Sequence, residues 1–204
     1  DYILWDYAKI KKFILDNGDQ KVLKAIDSVK ANAFKADIAR YYIVHKMGGW
    51  YIDLNNYFKE APPADYDILA FAEDGMISGA PWSVQNGFFY FKYKASPQLL
   101  NVVDICVGNV ENRVYGFNEF CPTGPLVFGS GLVHALPEKS KHFFGQYIVG
   151  RNDVPGGFYM SNFFKPARDP LALYKPYHKI NATGKPGIPG ANNYVEMWKN
   201  RELY

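Results

Sequence analysis

With 204 residues, 48% of them hydrophobic, the chain is long enough to bury one substantial core and too short for two, so a single domain is expected. Its formal net charge is only +3, and Lys9, Lys11, Lys12, Lys21, Lys24 and Lys30 are spread along predicted helices without interleaved stacking aromatics, a solvated face that argues against a nucleic-acid surface. No run of about 20 apolar residues and no leader pattern occurs, so no membrane contact is expected of this soluble chain.

Taken in order, residues 2–5 (YILW) read as a short strand before a helix over 7–16, where Ile10, Phe13 and Ile14 share a face and Asn17-Gly18 is a stop. A second helix starts near Asp19, carries Val22, Leu23 and Ile26, and fades at 31–32; a third spans 33–47, with Phe34, Ile38, Tyr41 and Tyr42 on one side. Gly48-Gly49 ends it, since glycine adopts the left-handed backbone that caps orphan carbonyls. Residues 50–54 form a buried strand, followed by a loop with Asn55, Asn56 and a Pro62-Pro63 break. Strands follow at 67–72 and 87–93, the second nearly all aromatic, then a helix over 97–110 and another opened by Thr123-Gly124-Pro125 and stopped at Pro137.

Beyond residues 146–149 the chain reads as a loop-rich wrap ending in a short helix over 194–200. The alternation of strand and helix predicts an α/β fold with a mixed sheet. Cys106 and Cys121 have no metal-ligand spacing and are too few for a disulfide scaffold; reduced core cysteines are expected over a single bridge. The aromatic fraction of 17% suits stacking on sugar rings or bases, although a ring-rich core accounts for most of it.

The densest chemistry lies in residues 36–56, ADIARYYIVHKMGGWYIDLNN. Asp37 and Arg40, three apart on a helix, project from one face. The Gly-Gly turn then feeds a strand that delivers Asp53 and Asn55 at its carboxyl end, where open α/β sheets bind ligands. On a strand these two residues share a side, about 7 Å apart, so that one divalent cation or a metal-bound diphosphate bridges them. Mg²⁺ and Mn²⁺ favour such hard oxygens and share them with phosphate.

Ala36-Asp37, Arg40-Tyr41, Gly48-Gly49, Tyr51 and Asp53-Leu54-Asn55 together resemble the signature of the DXD-containing sugar transferases, which include fungal initiating α-mannosyltransferases, capsular polysaccharide enzymes and, more distantly, the clostridial glucosylating toxins. One departure is Asn55 in place of the second acid. Weaker similarity extends to residues 2–6, to Gln85-Asn86-Gly87 and to Thr123-Gly124-Pro125, covering about residues 2–130, with the family's first strand lying upstream of Asp1.

The resemblance implies a GT-A type α/β/α sandwich that binds a nucleotide sugar, with UDP or GDP as the nucleotide and a glycan hydroxyl as acceptor. Asp37, Arg40 and Asn86 would contact the donor sugar, Tyr51 would pack beside the nucleotide, Asp53 would hold ribose or metal, and residue 55 would ligate Mn²⁺ or Mg²⁺ directly. A neutral carbonyl oxygen binds a cation less tightly than a carboxylate, so weaker metal affinity without loss of function is expected. Glu73 and Asp74 are candidates for a base if the reaction inverts, and His178, in the C-terminal wrap, for a further metal ligand. His45, His134 and His142 read as structural.

Substituting Arg40 by Ala is expected to spare the fold while reducing sugar discrimination. Two rivals remain: a non-catalytic sugar-nucleotide or carbohydrate-binding module, which Asn55 favours, and a glycoside hydrolase built on carboxylates among Asp37, Asp53, Glu73 and Asp74. The residues name no compartment; the expectations weighed are the cytoplasm or, were an anchor present upstream, the Golgi lumen.

Overall fold

In the computed structural model, residues 2–58, 65–73, 78–133, 142–149, 157–160, 172–174 and 193–204 are described. Helix α1 (Tyr7–Asp16) begins where the Asp6 carboxylate accepts from Lys9 N at 2.8 Å, and it ends at Gly18, whose φ of +74° suits only glycine without strain. The expected strand over residues 2–5 does not form. Tyr2, Ile3 and Leu4 are exposed and, among the described residues, no strand runs beside them to satisfy a ladder.

Helices α2 (Gln20–Ser28) and α3 (Asn32–Met47) pack on each other and on α4 (Pro97–Glu111), which itself packs on α5 (Pro125–Val133). The last pair approaches closely at Gly131, where a Cβ would lie 2.3 Å from Val102 Cγ2. Helix α3 is the central rod: ten of its 16 residues are buried, including Asp37, Arg40 and His45. It stops as expected, with Gly48 and Gly49 at φ of +68° and +94°. A Cβ on Gly48 would meet Lys92 O at 3.1 Å.

The turn leads into β1 (Gly49–Ile52), which pairs antiparallel with β4 (Phe88–Phe91); β4 pairs antiparallel with β3 (Ile68–Ala72), and β3 parallel with β5 (His142–Val149). Strands β1, β3 and β5 therefore run the same way. Alternation sorts their side chains: Tyr51, Ile68, Ala70, Phe89 and Phe91 face the helices, while Trp50, Ile52, Leu69, Phe71, Phe88 and Tyr90 face away.

Three strands fall where loop was expected: β2 (Asn56–Phe58), β6 (Gly157–Met160) and β7 (Ala172–Tyr174), completing a seven-stranded order β1-β4-β3-β5-β6-β7-β2. Laid flat, outer strands β1 and β2 would stand roughly 29 Å apart, at about 4.8 Å per strand. Yet only residues 53–55 join them, a link that spans at most roughly 14 Å. The sheet must curl, and its concave side holds the second aromatic cluster, where Phe58 lies 5.0 Å from Trp50 and 5.2 Å from Phe88, ring centre to ring centre. No helical residue among those described contributes to that cluster.

The C-terminal helix α6 (Tyr194–Lys199) returns to α3, where Tyr194 meets Phe34 edge to face. Trp198 Nε1 donates to Tyr115 O at 2.7 Å. Both cysteines are free, Cys106 in the core and Cys121 half-buried, as expected. No helix among the described residues is long and apolar enough to cross a membrane.

Candidate active site

Because β1 and β3 run in the same direction, their carboxyl ends put Asp53 and Glu73 at one end of the sheet, beside the residues that lead into β4, Gln85, Asn86 and Gly87. A cleft of about 310 Å³ opens there. Asp37, Asp53, Asn55, Glu73 and Asn86 all line it, so five side chains chosen from sequence converge on one space. Asp74 and His178 lie outside the described residues.

Asp53 is not on the strand but one residue past it, and Leu54-Asn55 forms a turn closed by Asn56 N donating to Asp53 O at 2.9 Å. The expectation that residues 53 and 55 share a strand side, with Leu54 buried, is corrected accordingly: Leu54 is 72% exposed. Asp and Asn favour turns, and that preference prevails once the β1 ladder ends at Ile52. The turn still delivers oxygens to the cleft. Asn55 Oδ1, at the cleft, and Asn56 Oδ1, outside its lining, are buried acceptors without a hydrogen-bond partner among the described residues, while Asn56 Nδ2 donates to Gly87 O at 2.8 Å. A buried carbonyl oxygen left unpaired costs free energy, and its presence at a cleft fits a ligand that satisfies it.

Behind the carboxylates lies Arg40, 7% exposed and not itself among the residues lining the cleft. Its guanidinium contacts Asp37 Oδ1 at 3.3 Å and Asp53 Oδ1 at 3.5 Å, donates to Asn86 O at 2.9 Å, and stacks over the Tyr51 ring at 4.6 Å. Tyr51, also away from the cleft lining, packs on Phe89 and donates its hydroxyl to Asp53 Oδ1 at 2.7 Å. Asp37 accepts from Asn86 Nδ2 and from Thr123 Oγ1, each at 2.9 Å, and Asn86 Nδ2 also reaches the Tyr41 hydroxyl at 2.7 Å.

Burial pushes the Asp37 carboxyl up to about 6, outweighing the opposing pull of Arg40 and of the Thr123 and Asn86 hydrogen bonds. Burial alone would lower the Arg40 guanidinium, but Tyr51, Asp53 and Asp37 beside it raise it above its ordinary value. Burial, with Asp53 nearby, likewise raises the Tyr51 phenol, so it stays a donor at neutral pH. Glu73 Oε2 accepts from Ser83 Oγ at 2.8 Å.

Sequence reading gave no role to Gln85, Glu119 or Phe120, which also line the cleft. It noted Thr123 only within its tripeptide. Their signal was slight: polar or aromatic residues in loops flanking the two segments already singled out.

One glycine is required by the site. A Cβ on Gly87 would sit 2.6 Å from Asp53 Oδ2, the tip of a side chain able to swing away. Gly87→Ala should therefore leave the melting temperature within about 3 °C while displacing the carboxylate, weakening any Mn²⁺-dependent ligand binding roughly tenfold. Calorimetry checks the second number, and unchanged affinity would show that this Asp53 rotamer does not matter.

A protein-family model described as glycosyltransferase sugar-binding region containing DXD motif matches residues 1–65. Over 109 residues the chain is 29% identical to an uncharacterized glycosyltransferase of Acanthamoeba polyphaga mimivirus, a match covering 53% of this chain and 36% of that protein. Among solved structures, the PaToxG glycosyltransferase is similar at 20% identity and a TM-score of 0.40, over 64% of this chain and 40% of that one. The chain spans well under half the length of these relatives.

Proposed function

We propose, from the match of residues 1–65 to the sugar-binding region of DXD-containing glycosyltransferases, that the cleft binds a nucleotide sugar and transfers its sugar to a glycan hydroxyl. The fold is read as GT-A type, the donor as a hexose carried on UDP, or alternatively GDP, and the reaction as assisted by Mn²⁺ or Mg²⁺. The observation that carries this reading is the convergence of Asp37, Asp53, Asn55, Glu73 and Asn86 on one cleft at the strands' carboxyl ends.

The donor set fits a hard cation. Asp53 offers a carboxylate whose Oδ2 takes no hydrogen bond among the described residues, and Asn55 offers a buried, unpaired carbonyl oxygen. Among the described residues no group of three His, Cys, Asp or Glu is arranged to hold a metal, so phosphate oxygens and water, with His178 as the further candidate from outside those residues, would complete the shell. That division of ligands is usual for Mg²⁺ and Mn²⁺. When bound, the cation neutralises the diphosphate leaving group.

The chain's own residues do the rest. Tyr51 and Arg40 fix Asp53 Oδ1 and so aim Oδ2; Asn86, held by Arg40 through its carbonyl, holds Asp37 at the cleft wall. Asp37 and Asn86 are placed to meet donor-sugar hydroxyls. Arg40 and Tyr51, read from sequence as ligand contacts, act from behind as positioning residues. Glu73 is placed to accept a proton from an acceptor hydroxyl, should the reaction invert.

Calorimetry with UDP-sugars, with and without Mn²⁺, followed by a donor-hydrolysis assay, tests the reading. Mn²⁺-dependent binding with turnover is expected. Binding without turnover would instead favour the non-catalytic module, for which Asn55 speaks, and glycoside cleavage without nucleotide or metal would favour a hydrolase. Asn55→Asp should tighten Mn²⁺-dependent donor binding by about five- to tenfold, because a second carboxylate replaces a neutral oxygen. Weaker binding in that variant would remove residue 55 from the ligand set.

A further inference from the structure

Among the described residues four carboxylates line the cleft, and three are engaged within the protein: Asp37 by Asn86 and Thr123, Asp53 by Tyr51, and Glu73 by Ser83. Glu119 makes no hydrogen bond or ion pair with any described residue. It is nonetheless held in place. Asn118 pins its turn, donating Nδ2 to Ser78 O at 2.7 Å and accepting Phe120 N on Oδ1 at 3.0 Å. Asn109 Nδ2 secures the far end by donating to Pro122 O at 3.0 Å.

The next residue, Phe120, lines the same cleft, so one hydrogen-bonded turn brings an aromatic residue and an uncommitted carboxylate residue to it in succession. That pairing matches a sugar: its C–H face packs on the ring, and its hydroxyls donate to a group that only accepts. No Lys, Arg or His lines the cleft among the described residues, so a ligand bringing its own negative charge without a cation is repelled.

We propose that the turn bearing Glu119 and Phe120 is the acceptor subsite and that the acceptor is a neutral saccharide, with Glu119 accepting a hydrogen bond from one of its hydroxyls. The word acceptor rests on the transferase reading above; saccharide binding at this turn does not. Glu119 is thereby a specificity-determining residue, separate from the carboxylates that face the donor.

Saturation-transfer NMR on the intact chain, with methyl α-mannopyranoside, methyl β-glucopyranoside and methyl β-galactopyranoside against sodium glucuronate, tests this. The wild-type chain should bind at least one neutral glycoside and exclude glucuronate. E119Q should weaken the neutral glycoside about tenfold, as expected for losing a hydrogen bond to a charged group, and should narrow the gap to glucuronate, a change that a merely structural role would not produce. F120L should also weaken it, and it carries the test if melting shows E119Q to be unfolded.

No neutral glycoside bound, glucuronate bound equally well, or undiminished affinity in a folded E119Q or F120L would each overturn the proposal. Calorimetry of the wild type with Mn²⁺ and UDP reports on the donor site separately. Failure there alone removes the transferase reading and leaves the saccharide subsite standing.

Discussion

Arg40→Ala should cost about 3–5 kcal/mol of folding stability, a fall in melting temperature of roughly 10 °C for a chain of this size, because it strands the Asp37 carboxylate without its cation. Asp37 and Arg40 are only 8% and 7% exposed, so water cannot replace the lost partner. This reverses the sequence-based expectation that the fold would be spared, which read Arg40 as a donor-sugar contact and not as the partner of a buried carboxylate.

Acid should soften the loss. The folded-state value for Asp37, about 6, lies above its ordinary 3.8, so its proton binds more tightly to the folded chain. That contribution to stability is complete below the ordinary value and is lost as pH rises through about 6. Removing Arg40 takes away a charge that opposes this shift, so the carboxyl should rise further and the gap between wild type and variant should shrink from pH 7.5 to pH 5. Adding Asp37→Asn to Arg40→Ala should recover part of the deficit at pH 7.5. Urea denaturation of the three chains at both pH values measures these differences, and an Arg40→Ala chain as stable as wild type at pH 7.5 would mean the buried pair does not matter.

That Arg40 braces the site from inside the core, and does not line the cleft, has a physical source. Helix α3 was read as one-sided, on Phe34, Ile38, Tyr41 and Tyr42, but Ala39, Ile43 and Val44 are buried too. A helix apolar all round is a core helix, and a charged residue within it must find its partner inside the protein. That inference was available from residues 38–44. The Gly48-Gly49 stop, by contrast, was fully legible, because only glycine accepts both positive φ values without strain.

Strands β2, β6 and β7 were not legible. Each has three or four residues, too few for a period of two to register, and each exists because a neighbouring strand completes its ladder. The same dependence undid the expected strand at residues 2–5, whose apolar composition was right but which has no ladder among the described residues. At the cleft, residue types and spacing identified the carboxylates and amides. They did not show which side chains face the space and which brace from behind, because that depends on helix rotation and on the strands beside it.

Asp53→Ala should give the opposite signature to Arg40→Ala: a large loss of function with little loss of stability. The Asp53 side chain is 36% exposed at the end of β1, and Arg40 keeps Asp37 and Asn86 O when it is gone. A change in melting temperature within about 3 °C is expected, consistent with a partly exposed contact of modest worth. Function should fare differently. Among the described residues Asp53 is the cleft carboxylate two positions from Asn55, and on the proposed reading its loss would leave the neutral Asn55 oxygen to hold a divalent cation against water. Mn²⁺-dependent nucleotide binding should weaken by about a hundredfold or more, since the attraction of a carboxylate for a divalent ion in a cleft is worth several kcal/mol. Asp53→Asn should fall nearly as far while keeping the Tyr51 contact, which separates the role of charge from that of shape. Titration of Mn²⁺ and UDP into each folded variant decides the matter: wild-type affinity in Asp53→Ala would move the cation, and with it the donor diphosphate, away from the turn after β1.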